Sequence, residues 1–173
     1  MAMGEKSPIA ITNPTAAGKL ALAEAVINLL PAGVAKLSDI KISANWMASP
    51  DDSQRKSDLF NTVKELTQKV CKPWRIAIPV GKDSLSMKTI WQNNKKTNLS
   101  PQSLVISSFA KIKNVSNSIT PQLINKDELV LVYLDLSKNK KRLGGSILAE
   151  VTQQTNLETP NLENLKEFPR IYN

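Results

Sequence analysis

The chain has 173 residues, of which 41% are hydrophobic and 22% charged, and its 23 Lys+Arg against 15 Asp+Glu leave a net charge of +8. That length suits one ordinary domain, or one and a half small ones, burying roughly 70% of the unfolded surface, and the composition excludes a disordered chain. One cysteine excludes an internal disulfide framework and points to a reducing compartment, while the absence of histidine removes Ser-His and Cys-His catalysis, His-containing zinc sites and every histidine general base.

In chain order, Met1 to Ile11 lacks the basic and apolar regions of a secretory signal, and no run reaches the roughly 18 to 20 apolar residues of a membrane span, so the expected location is cytoplasmic. Asn13 as N-cap and Pro14 at the first helical position predict a helix to about Leu30, stopped by Pro31-Ala32-Gly33. Ala16, Leu20, Ala23, Ile27 and Leu30 share one face, and Leu22, Val26 and Leu29 carry the apolar arc round the cylinder, which predicts a buried helix. Ser38 to Ala44 reads as a strand. Ser49 to Ser53 reads as a turn capping a second helix to about Lys72, with Leu59, Val63, Leu66 and Val70 as its core stripe. Trp74 to Val80 is the next expected strand, Asn93 to Pro101 a polar hairpin-like loop, and Ser103 to Ile112 a strand rich in β-formers. The character changes around Asn114 to Gln122, a candidate boundary. Beyond it come an apolar strand at Glu128 to Leu136, the basic loop Ser137 to Arg142, and a helix after Gly144-Gly145 with Ile147, Leu148 and Val151 apolar. A short helix and tail occupy Asn161 to Asn173. The pattern is mixed α/β without internal repeats.

Glu24 and Asn28 are the strongly polar side chains inside the first helix beyond Lys19, and their i,i+4 spacing puts both on one edge. A carboxylate and an amide oxygen are hard donors suited to Mg²⁺, which takes one or two protein carboxylates and completes its shell with waters and phosphates. Such pairs are common on helices, and spacing alone favours a structural role: Glu24 paired with a distant cation and Asn28 capping a neighbouring backbone. Gly81, Lys82, Asp83 and Ser84 stand where a strand is expected to give way to a loop, a place where ligand sites collect. A Walker-type cradle is excluded because Ile76 occupies the position of its first glycine. A β-turn with an incidental lysine remains an equal alternative. Cys71 reads as a small buried hydrophobe, Trp46 and Trp91 as core or interface anchors, and Gly144-Gly145 as a weak phosphate signal. The excess charge is nearly all lysine, and the clusters Lys95-Lys96 and Lys138 to Arg142 hold no interleaved aromatic residue, so solvated loops are favoured over a nucleic-acid surface.

Taken together, Ala2 to Glu5, Leu20 to Asn28 (LALAEAVIN), Asp39 to Met47 (DIKISANWM), Ile78 to Lys88 (IPVGKDSLSMK), Ser103 to Ala110 (SLVISSFA) and Thr120-Pro121-Gln122-Leu123 are more specific than any one of them. In this order they closely resemble the large, single-chain phosphoribosylformylglycinamidine synthase family of purine biosynthesis, over essentially the whole chain. The resemblance implies an α/β fold: a partial aminoimidazole-ribonucleotide-synthetase-like N-terminal-type domain over 1–118, then the beginning of a C-terminal-type domain over 119–173. It implies a segment of an ATP-dependent ligase that takes ammonia from glutamine and converts formylglycinamide ribonucleotide to the amidine, with the glutaminase cysteine elsewhere. Positions matching Glu24 and Asn28 hold magnesium at an auxiliary nucleotide, which reverses the balance drawn from spacing and implies Mg²⁺ and ATP or ADP as cofactors. The segment Gly81 to Ser84 matches a loop that meets nucleotide, metal and substrate. Its Lys82 stands where smaller relatives have a metal-binding Asn, and so takes a phosphate-facing role, with Ser84 the substrate contact. The implied partners are the remaining domains of the full enzyme, with self-association of the isolated segment and with neither nucleic acid nor membrane. By itself the segment is expected to be inactive. A basic nucleic-acid-binding module or a ligand-free interaction domain are the alternatives.

Overall fold

Asn13 and Pro14 open the helix on which the fold is built. The Asn13 side chain accepts from Ala16 N–H at 2.9 Å and Pro14 occupies the first turn, as the sequence predicts. The computed structural model describes residues 1–49, 51, 53–93, 95–125, 129–154 and 156–172. Helix α2 (Pro14–Ile27) follows strand β1 (Ala2–Glu5) and the short helix α1 (Ser7–Ala10). It is buried nearly all round, from Ala16 to Val26, while Ile27 and Leu30 are exposed because the helix ends three residues earlier than expected, before a 3-10 turn at Leu30–Ala32.

Strand β1 was not expected from the sequence. It is held by two layers at once: antiparallel pairing with β6 (Ser103–Phe109), and α2 beneath it. The approach to α2 is close enough that a Cβ on Gly4 would lie 2.0 Å from Ala21 O. The sheet has the order β1-β6-β2-β3. Strand β2 (Lys41–Met47) is antiparallel to β6 and parallel to β3 (Ala77–Ser84). Both β2 and β3 are shifted toward the C-terminus of their expected ranges, because Leu37–Asp39 forms a 3-10 turn and Arg75 adopts a left-handed conformation (φ 56°) that ends the preceding helix. Ile42, Ala44, Leu104, Ile106 and Ser108 face α2, and buried Ser108 donates its hydroxyl to Ala25 O at 2.6 Å.

Helix α3 (Ser53–Glu65) runs into a π-helical turn (Leu66–Cys71) and the single turn α4 (Lys72–Trp74). Its inward stripe is Thr62, Leu66 and Val70, with Leu59 half-buried and Val63 at the surface. Thr62 can occupy a core position because its hydroxyl donates to Asp58 O at 2.7 Å, leaving its methyl to pack against Gly18. Trp74 is the buried tryptophan. Its indole donates to Leu165 O at 2.7 Å and stacks on Phe168 at 4.2 Å between centroids. Phe168 belongs to α6 (Phe168–Tyr172), and with Leu162 and Tyr172 it joins the main core, so the C-terminal stretch closes over the end of α4. Asn173 lies outside the described residues.

The polar hairpin-like loop expected at Asn93 to Pro101 is part of a hairpin of β4 (Lys88–Trp91) and β5 (Lys96–Leu99), with Gln92 and Asn93 left-handed at its turn, so more of it is strand than expected. Two further expectations are corrected. Of the strand expected at Glu128 to Leu136, Glu128 lies outside the described residues and Leu129–Leu136 forms no ladder: β-formers need a neighbouring strand, and no described strand reaches them. In α5 (Ile147–Val151) the inward residue is Ala149, whereas Ile147, Leu148 and Val151 are exposed. Among the described residues, no helix is long and apolar enough to cross a membrane.

Candidate functional site

Glu24 and Asn28 emerge together from the C-terminal half of α2 and meet the outer edge of β1. As the edge strand, β1 turns the N–H of Glu5 and the carbonyl of Met3 away from β6. Glu24 Oε2 accepts from Glu5 N–H at 2.8 Å, its Oε1 pairs with the Lys6 ammonium, and Asn28 Nδ2 donates to Met3 O at 2.9 Å. The pair therefore caps a sheet edge that water would otherwise satisfy. The arrangement keeps hard oxygen on one surface: the Asn28 amide oxygen accepts no hydrogen bond from a described residue, and a cation, Lys6, already sits on the Glu24 carboxylate, which is about one-third exposed. Among the described residues no three of His, Cys, Asp and Glu gather into a metal-holding group. Spacing alone favours a distant cation on Glu24 and Asn28 on a neighbouring backbone, and the fold supplies both, bringing Lys6 from eighteen residues away and Met3 O from twenty-five.

Gly81, Lys82, Asp83 and Ser84 are not a loop. They form the second half of β3, paired with Ala44 to Met47, because the C-terminal half of β2 supplies a parallel ladder that sequence patterning does not reveal. Gly81 is required by close approach, since a Cβ there would lie 2.9 Å from Ala44 O. Lys82 and Ser84 point to the sheet face opposite α2, where the Lys82 ammonium donates to Ser84 Oγ at 2.9 Å, and Asp83 points the other way, opposite Trp46. Asn45 stands directly across from Lys82, and its Oδ1 is buried without a hydrogen-bond partner among the described residues. That Asn45 and Lys82 stand opposite each other is a consequence of strand register, which the linear order does not display.

The structure does not bring the two groups together. Glu24 and Asn28 project from α2 onto the edge strand β1, whereas Gly81 to Ser84 lie in the opposite edge strand β3 with Lys82 and Ser84 on the face away from α2, three strand spacings or roughly 14 Å across the sheet. A cleft of about 410 Å³ at the end of β2, lined by Thr12, Ser49, Arg55, Asp58 and Gln102 among others, contains none of the six expected residues. Gly144 and Gly145 serve packing: Cβ atoms there would strike Leu157 O at 2.4 Å and the Ile9 backbone at 2.9 Å. Burial pushes the Cys71 thiol up to about 11, so it is no nucleophile.

A solved structure similar to this chain is phosphoribosylformylglycinamidine synthase II from Thermotoga maritima, with 21% identity and a TM-score of 0.48 over 69% of this chain. This chain spans only 18% of the length of that protein. The family model for the FGAR-AT PurM_N-like domain matches residues 1–111, which hold the whole four-stranded sheet, α2 and both groups of expected site residues. This mixed α/β chain belongs to the FGAR-AT PurM_N-like domain family.

Proposed function

We propose that the chain is a segment of the synthetase core of a phosphoribosylformylglycinamidine synthase, the ATP-dependent ligase of purine biosynthesis that forms formylglycinamidine ribonucleotide with ammonia from glutamine. The observation that supports this reading is the family match over residues 1–111. On this reading residues 1–118 are the N-terminal-type unit and 119–173 begin the C-terminal-type unit, the partners are the remaining domains of a cytoplasmic enzyme, and this chain by itself does not turn over substrate.

The chain's own contribution is to nucleotide binding. Glu24 and Asn28 offer a carboxylate and an amide oxygen to Mg²⁺, which when bound neutralises phosphate charge. With a metal held there, Glu24 would give up its Lys6 partner, and the Lys6 ammonium would be free to donate to a phosphate oxygen of ATP or ADP. Lys82 faces a second anionic group, held in place by Ser84, whose hydroxyl remains able to donate to substrate. Calorimetric titration of Mg²⁺ with ADP into the chain, alongside Glu24→Gln, tests the assignment. Binding that disappears in the variant supports it. Binding that Glu24→Gln leaves unchanged removes Glu24 from the site, and no binding by the folded wild-type chain removes the nucleotide role from this chain.

A second reading, contact with a polyanion, is favoured by one observation: β-pairing places exposed Trp91 opposite Lys96, an aromatic beside a cation that the linear sequence separates. It predicts oligonucleotide affinity that falls steeply with salt and is lost in Trp91→Ala.

A further inference from the structure

Given the reading of Glu24 and Asn28 as metal donors, on which this rests, we infer that Lys6 is a tethered cation that couples binding of a divalent metal at that edge to binding of a phosphate. The backbone of β1 decides which atom of each side chain faces outward. Asn28 Nδ2 donates to Met3 O at 2.9 Å, which turns the amide oxygen away from the strand. Glu24 Oε2 accepts from Glu5 N–H at 2.8 Å, which leaves Oε1 as its outward oxygen. The two outward atoms are thus both hard oxygens, about one helical turn apart, and the Lys6 ammonium pairs with one of them, Glu24 Oε1. Lys6 directly follows β1, so the strand that orients the two oxygens also delivers the cation.

Both members of this ion pair are about one-third exposed, so it can open without unfolding the chain. Glu5, the acid next to Lys6, has its carboxylate turned to the Ser7 N–H at the start of α1. Among the described residues Lys6 is paired with no other acid than Glu24. Each ligand taken alone therefore leaves a charge uncompensated. With a divalent cation on Glu24, the Lys6 ammonium stands beside like charge and has no anion to take it. With a phosphate on Lys6, the Glu24 carboxylate stands bare beside an anion. With both ligands the carboxylate keeps a cation and the ammonium gains an anion, so each ligand strengthens the other by the same factor. The edge selects a metal–phosphate complex over either of its parts. A clamp that merely ties β1 to α2 would show no such selection.

Calorimetry with Mg²⁺ alone and with Mg²⁺ and ADP together, on wild type, Lys6→Met, Lys6→Arg and Glu24→Gln, tests this. Lys6→Met is expected to bind Mg²⁺ alone about fivefold tighter or more, and Mg²⁺ with ADP about fivefold weaker or more, with an unchanged circular dichroism spectrum. Lys6→Arg, which keeps the charge, restores both affinities toward wild type. Shifts of the two Lys6→Met affinities in the same direction, or no shift, overturn the coupling. The metal edge survives that result wherever Glu24→Gln still abolishes binding. Mg²⁺ binding that Glu24→Gln leaves intact, or none by the folded wild-type chain, overturns the metal reading and the coupling together.

Discussion

Gly4 sets how closely β1 lies on α2. Alanine there would put a methyl carbon 2.0 Å from Ala21 O and 2.6 Å from Ala25 N, backbone atoms that cannot step aside. Gly4→Ala is therefore expected to cost about 1–3 kcal/mol or more, read as a lowered denaturation midpoint. Glu24→Gln should behave in the opposite way. Its ion pair with Lys6 is about one-third exposed on each side, and the Gln amide oxygen still accepts from Glu5 N–H, so the loss stays below about 1 kcal/mol while metal-nucleotide binding disappears. The thiol of Cys71 predicts a pH effect. Folded, it ionises near 11 against 9.0 for a free thiol, so between those values the unfolded chain holds fewer protons than the native one and stability falls as pH rises. Wild-type stability minus that of Cys71→Ala should decline over that window by at most about 3 kcal/mol. Burial lowers the pKa of Lys19, which contributes with the opposite sign but equally to both proteins, and cancels in the difference.

At the scale of elements, an aromatic stack and a hydrogen bond tie the C-terminal stretch to the end of α4. Trp74 and Phe168 lie face to face, 4° from parallel, and the indole N–H is satisfied by Leu165 O from the same stretch. Phe168→Ala removes the ring that covers Trp74, with an expected cost of about 3–5 kcal/mol and a red shift of tryptophan emission. A normal emission maximum in the variant would mean that other residues keep Trp74 dry. Nearby, buried Arg142 pairs with Glu163 at 2.8 Å, and Lys140 with Arg142 holds the Glu163 carboxyl below its usual range. The helical path α3–π–α4 shows how an element alters its neighbours. The stripe Thr62, Leu66, Val70 delivers Trp74 inward, and the left-handed Arg75 then starts β3 late enough for Gly81 to Ser84 to be strand.

For the whole molecule, what local chemistry dictates was legible. The cap and proline of α2, its all-round apolarity, the β-formers of β6 and the class of fold each follow from interactions within a few residues, which the linear order preserves. The order of motifs was equally legible and led to the family. Where the sequence misled, the missing information was a distant partner. Strand β1 exists because α2 and β6 flank it, Gly81 to Ser84 are strand because β2 runs alongside, and Leu129–Leu136 forms no ladder because no described strand runs beside it. The candidate site divides in the same way. Glu24 and Asn28 could be singled out by spacing, but Lys6 on the carboxylate, Asn45 across from Lys82 and the separation of the two groups to opposite sheet edges were decided by tertiary structure. The physical reason is that side-chain spacing along a helix is a property of the chain, whereas strand register and edge position are properties of pairing between segments far apart in it.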